Sequence, residues 1–446
     1  MPASTISRYL ESYAEPIVGW LESTGLPQLP RTYQFVLVIP VFDESLDCLE
    51  QVLPSDLQQT LVIVVVNSAV DSDPAAVAQT QAFWKQYSQA DHPITRVPLA
   101  QESDCLLVDC TTDGKQLPAK QGVGLARKIG GDLALACIHR GIVDCPWIHC
   151  TDADVKLPLH YFDANPPAPD VAVAIYPFQH VPPHENILFY EISLRYYVIQ
   201  LAQTGSPYAF QTIGSLLKIN ALHYAMVRGF PKRTAAEDFY MLNKLAKTGQ
   251  VLRLRAPLIQ LASRISKRVP FGTGAAMSRL AQEPKFELYH PQIFQHLRTW
   301  LEIIPSLWST YPGLSVHEQV QSQPFRKPNT ALMLEALTAL GLEKILPQAH
   351  QQCRDLAHFR RYLWGWFDAF KTLKFIHYLR DHGLPNRPIS EAVRMVENLS
   401  LNTPEAVPDL SLSAAPLTQL NTQLIILENQ LPRAVGPTLD PREDSK

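Results

Sequence analysis

The chain has 446 residues, of which 46% are hydrophobic, and a formal net charge of −3 at pH 7. Such a chain can bury a sizeable core, and its balanced charge lacks the strongly basic excess typical of nucleic-acid-binding proteins, so we expect no nucleic-acid partner. The seven cysteines form no Cys-x-x-Cys pair, and their odd number argues against a complete disulfide framework, which favours reduced thiols in a cytoplasmic protein.

The first part of the chain predicts a helix followed by alternating strands and helices. Region 1–32 carries Glu11 and Glu15 where a signal peptide needs an unbroken apolar segment, so we expect an amphipathic helix of the mature protein there. Residues 35–40 and 61–67 are continuous β-branched runs typical of buried parallel strands. No apolar run approaches the roughly 20 residues that are needed to cross a bilayer.

The alternation continues to about residue 280. CLLVDC, WIHCT and VAVAIYPF have strand character, and LARKIGGDLALACIHR has helical character. We therefore expect an α/β domain over residues 33–280, built on a doubly wound mixed sheet flanked by helices. Ligands of such sheets bind at the carboxyl ends of the strands, so residues that follow the strands are the first candidates for a functional site.

Helical periodicity dominates beyond about residue 280. We expect a helical region over 281–400 and a partly ordered tail over 401–446, which is rich in Pro, Ser and Thr. One stretch, residues 358–382, mixes aromatic and basic side chains. Such a helix either makes peripheral contact with the inner face of a membrane or packs its aromatic stripe on the neighbouring domain.

Two carboxylates, Asp152 and Asp154, follow the run WIHCT and are separated by one residue. On extended backbone they would point to opposite faces, but at a strand-to-loop turn both can converge on a hard cation such as Mg²⁺ or Mn²⁺. An Asp at a strand end can equally cap a helix or make an Asx-turn. The motif alone leaves both interpretations open.

The order of the motifs is more specific than any one of them. VIPVFDES ends a strand, ARKIG lies on a helix, TDAD follows a strand, and AAEDFY opens a helix. In this order, residues 35–274 resemble the family 2 glycosyltransferases, which have the GT-A fold. The resemblance implies a metal-dependent hexosyltransferase. Such an enzyme moves a sugar from a nucleoside diphosphate donor, a UDP- or GDP-sugar, to a hydroxyl acceptor, which the sequence does not identify.

The resemblance also implies donor-binding residues. Pro40 and Glu44 match the strand-end proline and acid that contact the nucleoside. Asn67 stands where the family commonly has an Asp that contacts the base, which leaves the identity of the base open. Arg127 and Lys128 match an Ala-Arg-Asn-x-Gly segment, with Lys in place of Asn, and are expected near the diphosphate.

The acidic motifs carry the implied chemistry. Asp154 corresponds to a direct ligand of Mn²⁺ or Mg²⁺, and Asp152 to a residue near the metal and the ribose; the metal neutralises charge on the leaving diphosphate. Glu237 and Asp238 match the acidic pair whose Asp is the general base toward the acceptor in inverting members. Acids at a helix N-terminus are also favoured by the helix dipole, so a structural role is the competing interpretation.

Three further points stay open in the sequence. A basic segment with Arg264 and Arg268 either closes over the diphosphate or is an ordinary surface turn. Inversion is the family's usual outcome, but a retaining GT-A enzyme that glycosylates a small phosphorylated acid has similar parts. A non-catalytic nucleotide-sugar-binding protein of the same fold is the other alternative, since Asn67 and Lys128 depart from the family pattern.

Overall fold

The computed structural model describes residues 2–23, 29–88, 92–163, 168–263, 280, 286–313, 315–318, 330–396 and 414–437. The chain divides into two compact units. One consists of Met1–Pro182 and Thr212–Ala276, and the other of Pro183–Gln211 and Met277–Lys446.

The first unit alternates strands and helices, as predicted. Its described helices are α1 (Pro2–Ser12), α2 (Ile17–Ser23), α3 (Cys48–Val52), α4 (Pro74–Tyr87), α5 (Gly122–His139), α7 (Ala221–Met226) and α8 (Glu237–Leu245). Its described strands are β1 (Phe35–Val41), β2 (Thr60–Asn67), β3 (Ile94–Pro98), β4 (Asp104–Cys110), β5 (Trp147–Cys150), β6 (Val155–Lys156), β7 (Val171–Ile175), β8 (Phe178–Val181), β9 (Leu217–Asn220), β10 (Gln250–Arg253) and β11 (Ile259–Ala262).

A large mixed sheet is the core of this unit, which confirms the predicted α/β class. Its strands lie in the order β10-β7-β9-β5-β1-β2-β4-β3. Strand β1 pairs in parallel with β2 and β5, whereas β9 is antiparallel to β5 and β7, and β3 is antiparallel to β4. A smaller sheet has the order β6-β11-β8. Because the chain runs from β1 to β2 and β4 on one side and reaches β5 on the other, the strand order reverses at β1, where ligands bind in open α/β sheets.

The central strands are buried because α5 covers them closely. Every residue of β2 is buried, and α5 buries fourteen consecutive residues from Gly124 to Cys137. Gly130 lets the helix approach β1: a Cβ atom at this position would lie 2.4 Å from Cγ1 of Val38. The approach places the first turns of α5 beside the carboxyl ends of β1 and β5.

The second unit is mainly helical. Its described elements are the helices α6 (Glu185–Gln203), α9 (Pro291–Thr310), α10 (Thr330–Ala339), α11 (Leu342–Gln352), α12 (Leu356–Trp366), α13 (Ala369–His382), α14 (Ile389–Arg394) and α15 (Ala414–Gln430) and the strands β12 (Glu287–Leu288), β13 (Arg387–Pro388) and β14 (Ala434–Val435). Residues 185–203 belong to this unit, although the sequence pattern placed them inside the predicted α/β domain of residues 33–280.

Part of the predicted tail is an ordered helix. Helix α15 packs on α6 through Arg195, whose guanidinium donates to Asn421 Oδ1 at 3.2 Å and contacts the carboxylate of Glu428. Leu424 is fully buried in the core of the unit. The remaining predicted tail residues, 401–413 and 438–446, lie outside the described residues.

The aromatic and basic stretch 358–382 contributes much of the core of the second unit. Phe359, Leu363, Phe367 and Phe375 are almost completely buried. Packing therefore accounts for the inward face of this stretch, while membrane contact stays a prediction. In the part of the chain that the structure describes, no helix combines the length and apolarity needed to span a bilayer.

Candidate functional site

The candidate site lies where β1, β2 and β5 end side by side. Val41 is in register with Val66 at the ends of β1 and β2. On the other side of β1, pairing ends at Val38 and Cys150, and the N–H of Thr151 donates to the carbonyl oxygen of Val38 at 3.1 Å. The loops that leave β1 and β5 carry Glu44, Asp152 and Asp154, and the last residues of β1 and β2 include Pro40 and Asn67.

Arg127 is the centre of the site. Its side chain projects from α5 and is only 4% exposed. Nε donates to Oε1 of Glu237 at 2.9 Å, and one terminal nitrogen donates to Oδ1 of Asp152 at 2.5 Å. One buried guanidinium therefore joins the TDAD loop to the first turn of α8.

Charge on both sides keeps Arg127 protonated. Burial alone would lower its pKa, but the negative charges of Asp152 and Glu237 outweigh that effect and raise it. Glu237 is buried and committed to this ion pair. Its position does not favour a role as a base, and the catalytic part predicted for it is better described as holding Arg127.

The surroundings of Asp238 bring the pKa of its carboxyl group close to neutrality. Its pKa is raised to about 7, first by burial and then by the negative charges of Glu237 and Asp152, against the lowering effects of Arg127 and the N–H of Phe239. The residue is half-buried, and Oδ1 accepts from the N–H of Phe239 at 2.7 Å. A carboxyl group with a pKa near neutrality can take a proton from a hydroxyl group and release it again.

Asp152 and Asp154 are the two carboxylates that the sequence assigns to a cation. Asp152 is 33% exposed, and its bond to Arg127 uses Oδ1, which leaves Oδ2 for another partner. Asp154 is half-buried. Among the described residues, no group of three or more His, Cys, Asp or Glu side chains could hold a metal. Magnesium commonly binds through one or two carboxylates together with water and substrate phosphates, so these two oxygen donors suit it.

Asn67 ends β2 with its side chain in a defined orientation. Its side-chain nitrogen donates to the carbonyl oxygens of Val41 and Val65, both at 3.1 Å. Both N–H groups are therefore used, and Oδ1 receives no hydrogen bond from the described residues. At the carboxyl edge of the sheet, Asn67 offers an acceptor only.

Pro40 and Glu44 lie next to this edge. Pro40 is part of β1, where its missing N–H falls on the side on which pairing with β5 has already ended. Glu44 is buried, and its backbone carbonyl oxygen accepts from the side chain of Gln79 at 3.0 Å. The structure thus brings Pro40, Glu44 and Asn67 to the same ends of neighbouring strands.

Lys128 does not join the site, which corrects its predicted place near a diphosphate. Its ammonium group donates to Tyr9 Oη at 2.6 Å, to the carbonyl oxygen of Tyr13 at 3.0 Å and to Asp132 Oδ2 at 3.0 Å. These bonds use its three donors. Tyr224 also donates to Asp132 at 2.8 Å, so Lys128 belongs to a buried network that holds the N-terminal helix on α5. Consecutive residues on a helix point in directions about 100° apart, which separates it from Arg127.

Sequence reasoning missed two contributors. Gly214 leaves space for Arg127, since a Cβ atom there would lie 2.7 Å from the guanidinium. Asp109 is the penultimate residue of β4 and arranges the loop beside Asn67 by accepting from the N–H groups of Thr111 and Thr112. An Asp after a strand-like run was a usable signal for the second, whereas a single Gly carried none. Arg264 and Arg268 lie outside the described residues.

Comparison of the chain with protein-family models finds no match, and comparison with curated proteins finds none either.

Proposed function

We propose that this protein is a metal-dependent glycosyltransferase with a GT-A-like first unit, which moves a sugar from a nucleoside diphosphate donor to a hydroxyl acceptor. The observation that supports the proposal most directly is the Asp152–Arg127–Glu237 bridge with Asp238 next to it. It brings together, from three separate segments, the motifs that the family resemblance relates to donor binding and to proton transfer.

Asp238 is the general base of the proposed reaction. Its carboxylate takes the proton of the acceptor hydroxyl while the hydroxyl oxygen attacks the anomeric carbon of the sugar. The bond from that carbon to the diphosphate oxygen breaks, and its electron pair leaves with the diphosphate. Attack opposite to the leaving group inverts the anomeric centre. Asp154 and Asp152 would hold Mn²⁺ or Mg²⁺, which would supply positive charge against the diphosphate.

Asn67 supports contact with a hydrogen-bond donor on the nucleotide. Because its amide hydrogens are used by Val41 and Val65, only Oδ1 can contact the base. Each nucleobase presents a donor, either a ring N–H or an exocyclic amine, so this contact does not select one base. The UDP- or GDP-sugar of the proposal comes from the family resemblance.

Calorimetry tests the proposal. We expect UDP or GDP to bind wild-type protein more tightly in the presence of Mn²⁺ than in its absence. Asp154→Ala removes a metal ligand and should abolish the Mn²⁺-dependent part of binding. Asp163→Ala, which removes a carboxylate that is 66% exposed, is the matched control and should bind as the wild type does.

The outcomes separate the alternatives. Absence of Mn²⁺-dependent nucleotide binding by the wild type would refute the proposed function. Binding without sugar transfer to any acceptor would favour the non-catalytic alternative. If transfer occurs, proton NMR of the first-formed product reports its anomeric configuration, and retention of the donor's configuration would favour the retaining enzyme that acts on a small phosphorylated acid.

A further inference from the structure

Arg127 occupies a position that differs from that of a phosphate-binding residue. Its side chain is 4% exposed, so little of the guanidinium surface is open to a ligand. Nε contacts Glu237 at 2.9 Å, one terminal nitrogen contacts Asp152 at 2.5 Å, and the other lies 3.5 Å from the carbonyl oxygen of Gly214. Each nitrogen of the fork therefore has a protein acceptor.

The backbone around Arg127 is shaped to hold the fork in one orientation. The chain at Gly214 packs so closely that an added Cβ atom would lie 2.7 Å from one terminal nitrogen and 2.9 Å from Cζ. The N-terminal end of the same helix is held by the N–H of Gly124, which donates to the carbonyl oxygen of Arg233 at 2.9 Å in the segment that leads into α8. The packing at Gly214 and the hydrogen bond of Gly124 therefore restrict the position of the Arg127 side chain.

We propose that Arg127 is a positioning residue that keeps the TDAD loop and the first turn of α8 in a single relative arrangement. The inference rests on the proposed function, in which Asp152 lies on the donor side and Asp238 on the acceptor side. Arg127 therefore acts on catalysis through the two carboxylates that it bridges, and it does not bind the diphosphate.

The positioning role requires the planar geometry of a guanidinium group. A guanidinium can donate to two carboxylates from fixed directions, whereas a lysine ammonium is a compact charge on a flexible stem. A residue that only supplies charge to a diphosphate can be replaced by Lys, but a residue that fixes two segments cannot. Misplacement of reacting groups by about 1 Å can reduce a rate about 100-fold.

Kinetics of Arg127→Lys test the positioning role. We expect kcat to fall by about 30- to 100-fold, while the Kd of UDP or GDP with Mn²⁺ stays within about threefold of the wild type. Arg140→Lys is the control, since it makes the same substitution at the exposed C-terminal end of α5. A kcat like that of the wild type, or a loss confined to a nucleotide Kd more than about tenfold weaker, would overturn the proposal.

A second experiment measures stability and requires no nucleotide-sugar donor. Glu237→Gln should lower the urea midpoint in the wild type because Arg127 loses a partner. In an Arg127→Gln background the same substitution should raise the midpoint, because it removes a buried carboxylate that has no cation. If Arg127→Gln alone fails to fold, recovery of folding in the double variant shows the same reversal. An effect of one sign in both backgrounds would contradict the bridge.

The two experiments separate failure of the inference from failure of the proposed function. If no nucleotide binds but the effect of Glu237→Gln reverses, the bridge is structural and the glycosyltransferase proposal fails. If nucleotide binds and sugar is transferred but Arg127→Lys behaves like Arg140→Lys, the glycosyltransferase proposal stands and the positioning role is wrong.

Discussion

The carboxyl group of Asp238 shows how one residue acquires its chemistry from its neighbours. Burial raises its pKa, the negative charges of Glu237 and Asp152 raise it further, and Arg127 opposes them, with a result of about 7. Sequence shows only that two acids open a helix. The position of Arg127 between the carboxylates depends on three segments that are distant along the chain.

The pH dependence of transfer follows from this balance. Because a base must be deprotonated, we expect kcat/KM to rise with pH and to level off above a midpoint near 7. Glu237→Gln removes a negative charge and should move the midpoint to lower pH, whereas Arg127→Gln removes a positive charge and should move it to higher pH.

Steady-state rates between pH 5.5 and 9 check both shifts, and Asp238→Asn is the control for the base itself. Loss of the base should lower kcat by roughly 10²- to 10⁴-fold. Midpoints that move in the same direction in both charge variants would show that Asp238 is not the titrating group.

At the scale of elements, α5 organises the site because it approaches the sheet so closely. Gly130 allows this approach at Val38, and Gly131 allows a close contact with Tyr224 on α7. The same helix carries Arg127 into the site and, one residue later, Lys128 into the network with Tyr9 that anchors α1. Helical periodicity predicted α5, but it did not indicate which of these two cations faces the carboxylates.

Gly130→Ala tests the close approach. The added Cβ atom would lie 2.4 Å from Cγ1 of Val38, and overpacking costs typically about 1–3 kcal/mol, offset by up to about 1 kcal/mol of helix propensity. We expect the free energy of unfolding to fall by about 1–2 kcal/mol, as measured by urea denaturation.

Gly19→Ala is the matched control, because the position is helical and no atom lies within 4 Å of the added Cβ. This variant should be as stable as the wild type or up to about 1 kcal/mol more stable. If the two substitutions change the free energy of unfolding equally, Val38 and α5 can move apart to accommodate the added Cβ atom without loss of stability.

At the scale of the whole molecule, each of the two compact units has its own core. The site residues that the structure describes all belong to the first unit. Ligands that bind this folded unit should therefore stabilise it by mass action, by about 2.7 kcal/mol at a concentration 100 times Kd.

We expect Mn²⁺ together with UDP or GDP to raise the Tm of the transition of the first unit by about 5–10 °C. EDTA should abolish the shift, and Asp154→Ala should not show it, because both remove the metal from the site. Thermal unfolding with and without EDTA measures this. A shift of equal size in EDTA would indicate metal-independent binding and contradict the proposed site.

The sequence by itself determined the α/β class, the strands whose apolar runs are continuous, and the acids at their ends, because hydrophobic periodicity and strand-end chemistry are local properties. It also predicted the helical character of residues 281–400. It did not indicate that residues 185–203 belong to the second unit, because the periodicity of a helix does not show which unit the helix packs against.

Only the tertiary structure determined which charged side chains form ion pairs. Arg127 and Lys128 are adjacent and both positively charged, yet Arg127 bridges Asp152 and Glu237 while Lys128 is bonded to Asp132 and Tyr9. The direction of a side chain, the space left by Gly214 and the burial of each ion pair arise from contacts between distant segments. For that reason the acidic residues of the candidate site could be predicted from the sequence, but the arrangement that supports their function could not.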